Sequence, residues 1–289
     1  MDSILNFLQQ VITLRGNFNW GYVWQFLFAT DILQGVIITV VLSVLAQLFG
    51  SLIGLLLYFM RRSNSRALRG IAETYVWFFR GTPLLVQILF LNALFPYLGI
   101  ANPLIATHLF LHLGFIRDIP LDAFIAGLIA LSMNEGAYMA EIVRAGIDAI
   151  DVGQIEAAKS LGMTYRQAMQ RVVLPQALRV IVPPLGNEFN SMLKSSSLVS
   201  VISVYELLNA AQAHGFNLFA PLELYTVAAI WYIVLTTVWG FIQSAVERRL
   251  NASNIEPAVV ERDVWWRRAI GIGHDRGGGV VVPTGIDHR

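Results

Sequence analysis

Ile32–Met60, ILQGVIITVVLSVLAQLFGSLIGLLLYFM, runs for 29 residues without a charge. About 20 apolar residues cross the hydrocarbon core of a bilayer, so this segment suits lipid and no ordinary soluble domain. Its polar members, Gln34, Thr39, Ser43 and Gln47, can face other helices, since lipid offers them no partner. The rest of the chain agrees. Over 289 residues it is 56% hydrophobic and 13% charged, whereas soluble proteins carry about 25% charge. Mean hydropathy is +0.60.

Length and charge together predict five spans: Ile32–Met60, Leu84–Gly99, Phe124–Ile142, a broken stretch around Ile181–Leu208, and Leu222–Val246. The second is short unless it reaches back toward Tyr75. Pro183-Pro184 is expected to interrupt the fourth, which in a membrane requires protein or a water-filled cavity to satisfy the freed backbone. Basic residues orient these spans. Seventeen of the twenty lie in the 61–80 loop, the 143–180 loop and the segment after the last span. Positive loops face the cytoplasm, which predicts a multi-pass plasma (inner) membrane protein with its N-terminus outside and its C-terminus inside.

Three domains follow: an interfacial, extracytoplasmic segment at 1–30 with Trp20, Tyr22 and Trp24, a transmembrane domain at 31–250, and a flexible cytoplasmic tail at 251–289. The N-terminus does not read as a cleavable signal peptide. With no cysteine, disulfides, cysteine zinc sites and thiol nucleophiles are excluded. A net charge of +1 gives no electrostatic reason for a nucleic-acid partner. His108 and His112 have the i,i+4 spacing of metal ligands but no third ligand near in sequence, so no metal is expected.

The passage GQIEAAKSLGMTYRQAMQRVVLP, 153–175, is polar in a chain of apolar runs. Asp151 with Gln154, and Thr164 with Gln167, repeat a capping-box pattern, with Gly162 as the stop between two short helices. Ile155, Ala158 and Leu161 share one face of the first helix. Ala168, Val172 and Val173 follow in the second, which Pro175 is expected to break. The elbow either merely links two spans or meets another protein. Gly153 to Ser160 nearly spells a phosphate-binding loop, yet Ala158 replaces its second glycine and no strand precedes it. Nucleotide binding by this chain is therefore not expected.

Glu156-Ala157-Ala158, Gly162 and Leu174-Pro175 resemble the EAA motif of permease subunits of bacterial ABC importers. FFRGTPLLVQ (78–87), GAYMAEIVRAGI (136–147) and LKSSSLVSVI (193–202) are similar to the branch that takes up polar amino acids. The blocks span roughly 75–205 in the expected order. The resemblance implies an all-α integral membrane protein of about five transmembrane helices. It also implies a cytoplasmic EAA coupling helix, in which Glu156, Ala157, Ala158 and Gly162 dock a separate ATPase. Further implied partners are a second permease copy or paralogue, an extracytoplasmic solute-binding protein and an amino acid substrate. ATP and Mg would sit on the partner ATPase and no cofactor on this chain.

Charges inside a membrane are costly and mark pathways. Glu188 and Lys194 are six positions apart, so on a regular helix they lie nearly opposite. Lys194 is expected to take a ligand α-carboxylate and Glu188 its ammonium or a donor on its side chain. The other reading has Lys194 at the interface and Glu188 paired with an arginine of another span. Ser195, where many relatives carry Asp, disfavours a strongly cationic substrate and leaves polar or acidic amino acids open. Ser197 and Thr82 complete the predicted pocket. Glu141 and Arg144 are expected to form an i,i+3 ion pair, and Glu135 to line the path or touch a neighbouring chain. An ion-coupled carrier is the alternative, but it predicts internal repeats and leaves the elbow unexplained. An enzyme lacks a catalytic motif.

Overall fold

The computed structural model describes residues 18–98 and 121–251. His108, His112 and the tail beyond 251 lie outside them. Among the described residues all regular structure is helical. Helix α1 (Trp20–Leu27) starts where Asn19 Oδ1 accepts from Gly21 N at 2.8 Å, and exposes Trp20 and Trp24 as interfacial aromatics do. Helix α2 (Thr30–Arg62) covers the charge-free run, with Asp31 in its first turn and Arg61 and Arg62 in its last. Both signs suit the helix dipole. Helices α3 (Arg66–Gly81) and α4 (Leu84–Tyr97) follow. The stretch around Tyr75 is thus helical too, but it meets the helix of the expected second span at a bend of 108°, because Pro83 cannot donate a backbone hydrogen bond.

Helix α5 is Leu121–Asp148, α6 Val152–Ser160 and α7 Tyr165–Ala168. A π-helical turn, Met169–Val173, leads into α8 (Leu174–Ser195) without interruption. The expected break at Pro175 is therefore corrected. Pro175 has no N–H for the carbonyl of Arg171, and the wider turn just before it accommodates the ring. The expected interruption at Pro183-Pro184 is corrected too, since both prolines lie inside α8. A neighbouring helix braces them. From α10 (Pro221–Asn251), Trp239 Nε1 donates to Gly186 O at 2.8 Å and Gln243 Nε2 to Pro183 O at 3.3 Å.

The break comes later, as a 3-10 turn over Ser196–Ile202 followed by Ser203 at φ +64°. Helix α9 (Leu207–Asn217) restarts the chain. Its cap, Glu206, is 0% exposed and accepts from Asn209 N at 2.8 Å, Tyr232 Oη at 2.8 Å and Thr39 Oγ1 at 3.3 Å. One carboxylate thereby ties α2, α9 and α10 together, with its oxygens served by donors as burial demands.

Three described helices are long and apolar enough to cross a membrane, Thr30–Arg62, Ala123–Asp148 and Pro221–Leu250, and the bent pair α3–α4 makes a fourth if taken as one span. Helix α8 falls outside that set and carries Arg179, Glu188 and Lys194. Helices α2 and α5 pack closely through small residues. A Cβ on Gly50 would lie 2.6 Å from Glu135 Cβ, one on Gly54 would strike Met139, and one on Gly136 would strike Ile53. Close backbone approach of this kind gives dispersion contacts where lipid supplies no hydrophobic drive. Ile38, Leu42, Ile88, Phe124, Leu131, Met192 and Val199 form the core around this seam.

Candidate functional site

A cavity of about 340 Å³ opens between α4, α5 and α8, lined by Leu84, Asn134, Glu135, Tyr138, Glu188, Ser191, Met192, Ser195 and Leu198. Helix α5 places Asn134, Glu135 and Tyr138 within little more than one turn, and α8 places Glu188, Ser191 and Ser195 along one face at helical spacing. Gly50 lets Glu135 sit against α2, where the carboxyl is 4% exposed and its Oε1 has no hydrogen-bond partner among the described residues. Two carboxylates thus face one space, and among the described residues no cation lines it. Arg80 stands at the edge, its guanidinium 5.4 Å from the ring centroid of Tyr138 in cation–π geometry and within electrostatic reach of Glu188.

The sequence-predicted residues divide. Glu188 and Ser195 line the cavity. Lys194 is exposed and outside the lining, as its six-residue offset from Glu188 requires. Ser197 donates to Lys194 O at 2.7 Å and also stands outside it. Thr82 is spent on the α3–α4 break, donating to Phe78 O at 2.8 Å and accepting from Gln87 Nε2 at 2.8 Å. Arg80 and Tyr138 lie in the sequence blocks and Asn134 just before one, none with an assigned place, and the sequence leaves Glu135 between two readings. The signal for Glu135 was its depth in an apolar span.

The elbow is built differently. Asp151 caps α6 by accepting from Gly153 N at 2.7 Å. The reciprocal half of the expected box is absent; Gln154 Oε1 instead accepts from Gln176 Nε2 at 3.4 Å. At Thr164 both halves are present, with Gln167 N donating to Thr164 Oγ1 and Thr164 N donating to Gln167 Oε1 at 2.9 Å. Gly162 lies at φ +80°, a left-handed position that glycine occupies without strain. Its N–H bonds to Lys159 O at 2.9 Å and that of Met163 to Ala158 O at 3.1 Å, which closes the helix. Ala158 is buried, whereas Glu156 and Ala157 are exposed. Leu161, expected on the same face as Ala158, is 80% exposed, because it follows the last turn rather than belonging to it.

The expected pair of Glu141 and Arg144 forms at 2.9 Å and is part of a larger ladder. Arg61, closing α2, donates to Glu141 at 2.5 Å, and Arg144 also reaches Asp148 at 3.1 Å. The charges hold the end of α2 against α5 just before the elbow.

The chain belongs to the family of binding-protein-dependent transport system inner membrane components, whose pattern matches residues 48–252. It is a multi-pass membrane protein and a transport component rather than an enzyme, and an ion-coupled carrier is set aside. Among curated relatives, the arginine transport system permease protein ArgU of Corynebacterium glutamicum is 39% identical over 226 residues, covering 76% of this chain and 68% of that protein. The L-cystine transport system permease protein TcyB of Bacillus subtilis is 37% identical and covers 83% of this chain and 94% of its own length. The crystal structure of an amino acid ABC transporter with histidines contains a chain 40% identical, with TM-score 0.65, covering 76% of this chain and 94% of that one. The MetNI methionine ABC transporter, at 16% identity and TM-score 0.56 over 76% of this chain and 94% of that chain, shares the fold.

Proposed function

We propose that the chain is the membrane-spanning subunit of an ATP-driven amino acid importer, forming half of a translocation pathway with a second permease copy or paralogue. The single observation that carries this reading is continuity. One helical stretch runs from Tyr165 in the elbow to Ser195 in the cavity, so a push on the elbow acts directly on Glu188. The names of the relatives support an amino acid as cargo. In the cavity, Glu188 and Glu135 hold the ammonium, Ser191 and Ser195 add hydroxyls, and Arg80 rather than Lys194 attracts the carboxylate.

In this reading the fold has five spans, counting α8 with the 3-10 turn, and Glu156, Ala157, Ala158 and Gly162 form the EAA coupling helix seated on a cytoplasmic ATPase. ATP and Mg belong to that partner, and an extracytoplasmic solute-binding protein delivers the substrate. The N-terminus lies outside, and the tail at 251–289 lies in the cytoplasm. Closure of the ATPase pair rocks α8 and opens the cavity to each side in turn. Proteoliposomes carrying the permease, its ATPase and its binding protein test this. Uptake should require ATP and survive collapse of ion gradients; uptake that ignores ATP and stops with the gradient refutes it.

A further inference from the structure

The break at Gly81–Thr82–Pro83 lies next to the cavity, and its carbonyls need donors that a continuous helix would have supplied. Gln87 supplies them. It is 6% exposed, and its Nε2 lies 3.0 Å from Phe79 O, 3.1 Å from Thr82 O and 2.8 Å from Thr82 Oγ1. Carbonyls only accept, so the nitrogen of this amide must face the break and the oxygen must face away. That oxygen accepts from Asn134 Nδ2 at 3.1 Å, and the same Nδ2 donates to Phe79 O at 3.0 Å. Both hydrogens of the Asn134 amide are therefore consumed. Its remaining polar atom is Oδ1, to which no hydrogen-bond donor is assigned among the described residues, and Asn134 lines the cavity beside Glu135 and Glu188.

We infer that Gln87 is a specificity-determining positioning residue, which holds the Asn134 side chain so that the cavity presents a third acceptor and no amide donor. The inference rests on the proposed substrate site. Against the expectation drawn from Ser195, it narrows the cargo to amino acids whose side chain ends in hydrogen-bond donors, such as a guanidinium, an ammonium or an amide NH2. A side-chain carboxylate would face the Glu135, Glu188 and Asn134 acceptors, with only the Tyr138, Ser191 and Ser195 hydroxyls as lining donors among the described residues, and unmatched buried polar groups discriminate strongly. The polarity of the site is thus set at the helix break by Phe79 O and Thr82 O, which do not line the cavity.

The test is equilibrium binding of radiolabelled L-arginine, L-glutamine and L-glutamate to the purified full-length permease–ATPase complex without binding protein. Wild type should bind arginine or glutamine more tightly than glutamate, and a preference for glutamate overturns the inference. Gln87→Met keeps the side-chain length and removes one of the two acceptors that fix the Asn134 amide, leaving Phe79 O as the other. The arginine-to-glutamate affinity ratio should fall about tenfold, the scale of one mispaired buried polar group. Adding Asn134→Asp, which has acceptors in either orientation, should restore the ratio. If Gln87→Met weakens all three ligands equally, Gln87 is only structural and the inference fails. If Gln87→Met does not assemble, Asn134→Asp alone decides, because a ratio lower than wild type contradicts the acceptor role. Glu188→Gln separates the two levels. Unchanged binding of all three ligands removes the cavity itself, whereas weakened binding with an unmoved Gln87→Met ratio removes only the role of Gln87.

Discussion

Between Phe78 and Gln87 the polar atoms of the broken helix find partners inside the chain, in Thr82, Gln87 and Asn134. Between Asp151 and Thr164 the local caps hold the backbone, and most side chains point outward. The two regions answer to different solvents. A break facing lipid or a cavity must be satisfied by protein, so its side chains are tied down and their orientation is fixed. An elbow in water needs only its helix ends closed, which leaves Glu156, Ala157 and Leu161 free to meet another surface. Rigidity suits selection of a small ligand, and exposure suits docking of a large one.

Mutations that separate binding from transport would break or sharpen that contrast. The largest effect is expected at the elbow. Gly162→Asp forces a side chain into a left-handed position, and Glu156→Lys reverses an exposed charge; each should abolish ATP-dependent uptake while membrane insertion and ligand binding stay intact. Uptake at wild-type rate in both variants would remove the division of labour. Next comes the cavity, where Glu188→Gln should weaken ligand binding by about tenfold or more, as loss of a charged hydrogen-bond partner does, with basal ATPase activity unchanged. Isothermal titration on the complex reads this, and equal affinities would count against the site.

A smaller effect tests the seam that supports the cavity. Gly54→Leu drives a side chain into Met139, and overpacking costs about 1–3 kcal/mol, so the melting temperature of the complex should drop by several degrees before function is considered. The smallest effect is Asp151→Ala, which removes one cap at about 1 kcal/mol. Hydrogen exchange should quicken in Val152–Ser160 only, and protection lost in α5 or α8 would show that the elbow is not locally held.

Much of the fold was legible because the strongest signals are local. The charge-free run of α2, the Thr164–Gln167 box and the stop at Gly162 each lie within one element. The misread positions depend on residues far away in the chain. Pro183-Pro184 stays helical because Trp239 and Gln243 arrive from α10, and a proline rule applied to one helix cannot include them. The buried knot of Thr39, Glu206 and Tyr232 joins three segments with no shared motif. Of the expected residues, Glu188 and Ser195 line the cavity, whereas helical geometry separates Lys194 from Glu188. Thr82 is marked in the sequence by its place in the Arg-Gly-Thr-Pro turn. Its hydroxyl serves the break, while Asn134 lines the cavity.

The uninterrupted run from Tyr165 to Ser195 also has a mechanical meaning. Between Tyr165 and Glu188 there are 23 residue steps, an arm of about 35 Å at the usual α-helical rise. A tilt of about 5° at the elbow would swing the Glu188 carboxylate through about 3 Å at that radius, comparable to the length of a hydrogen bond. On the proposed function, such a lever would need no large rearrangement to let go of its cargo. A slight rotation at one end suffices to change what a ligand can reach at the other.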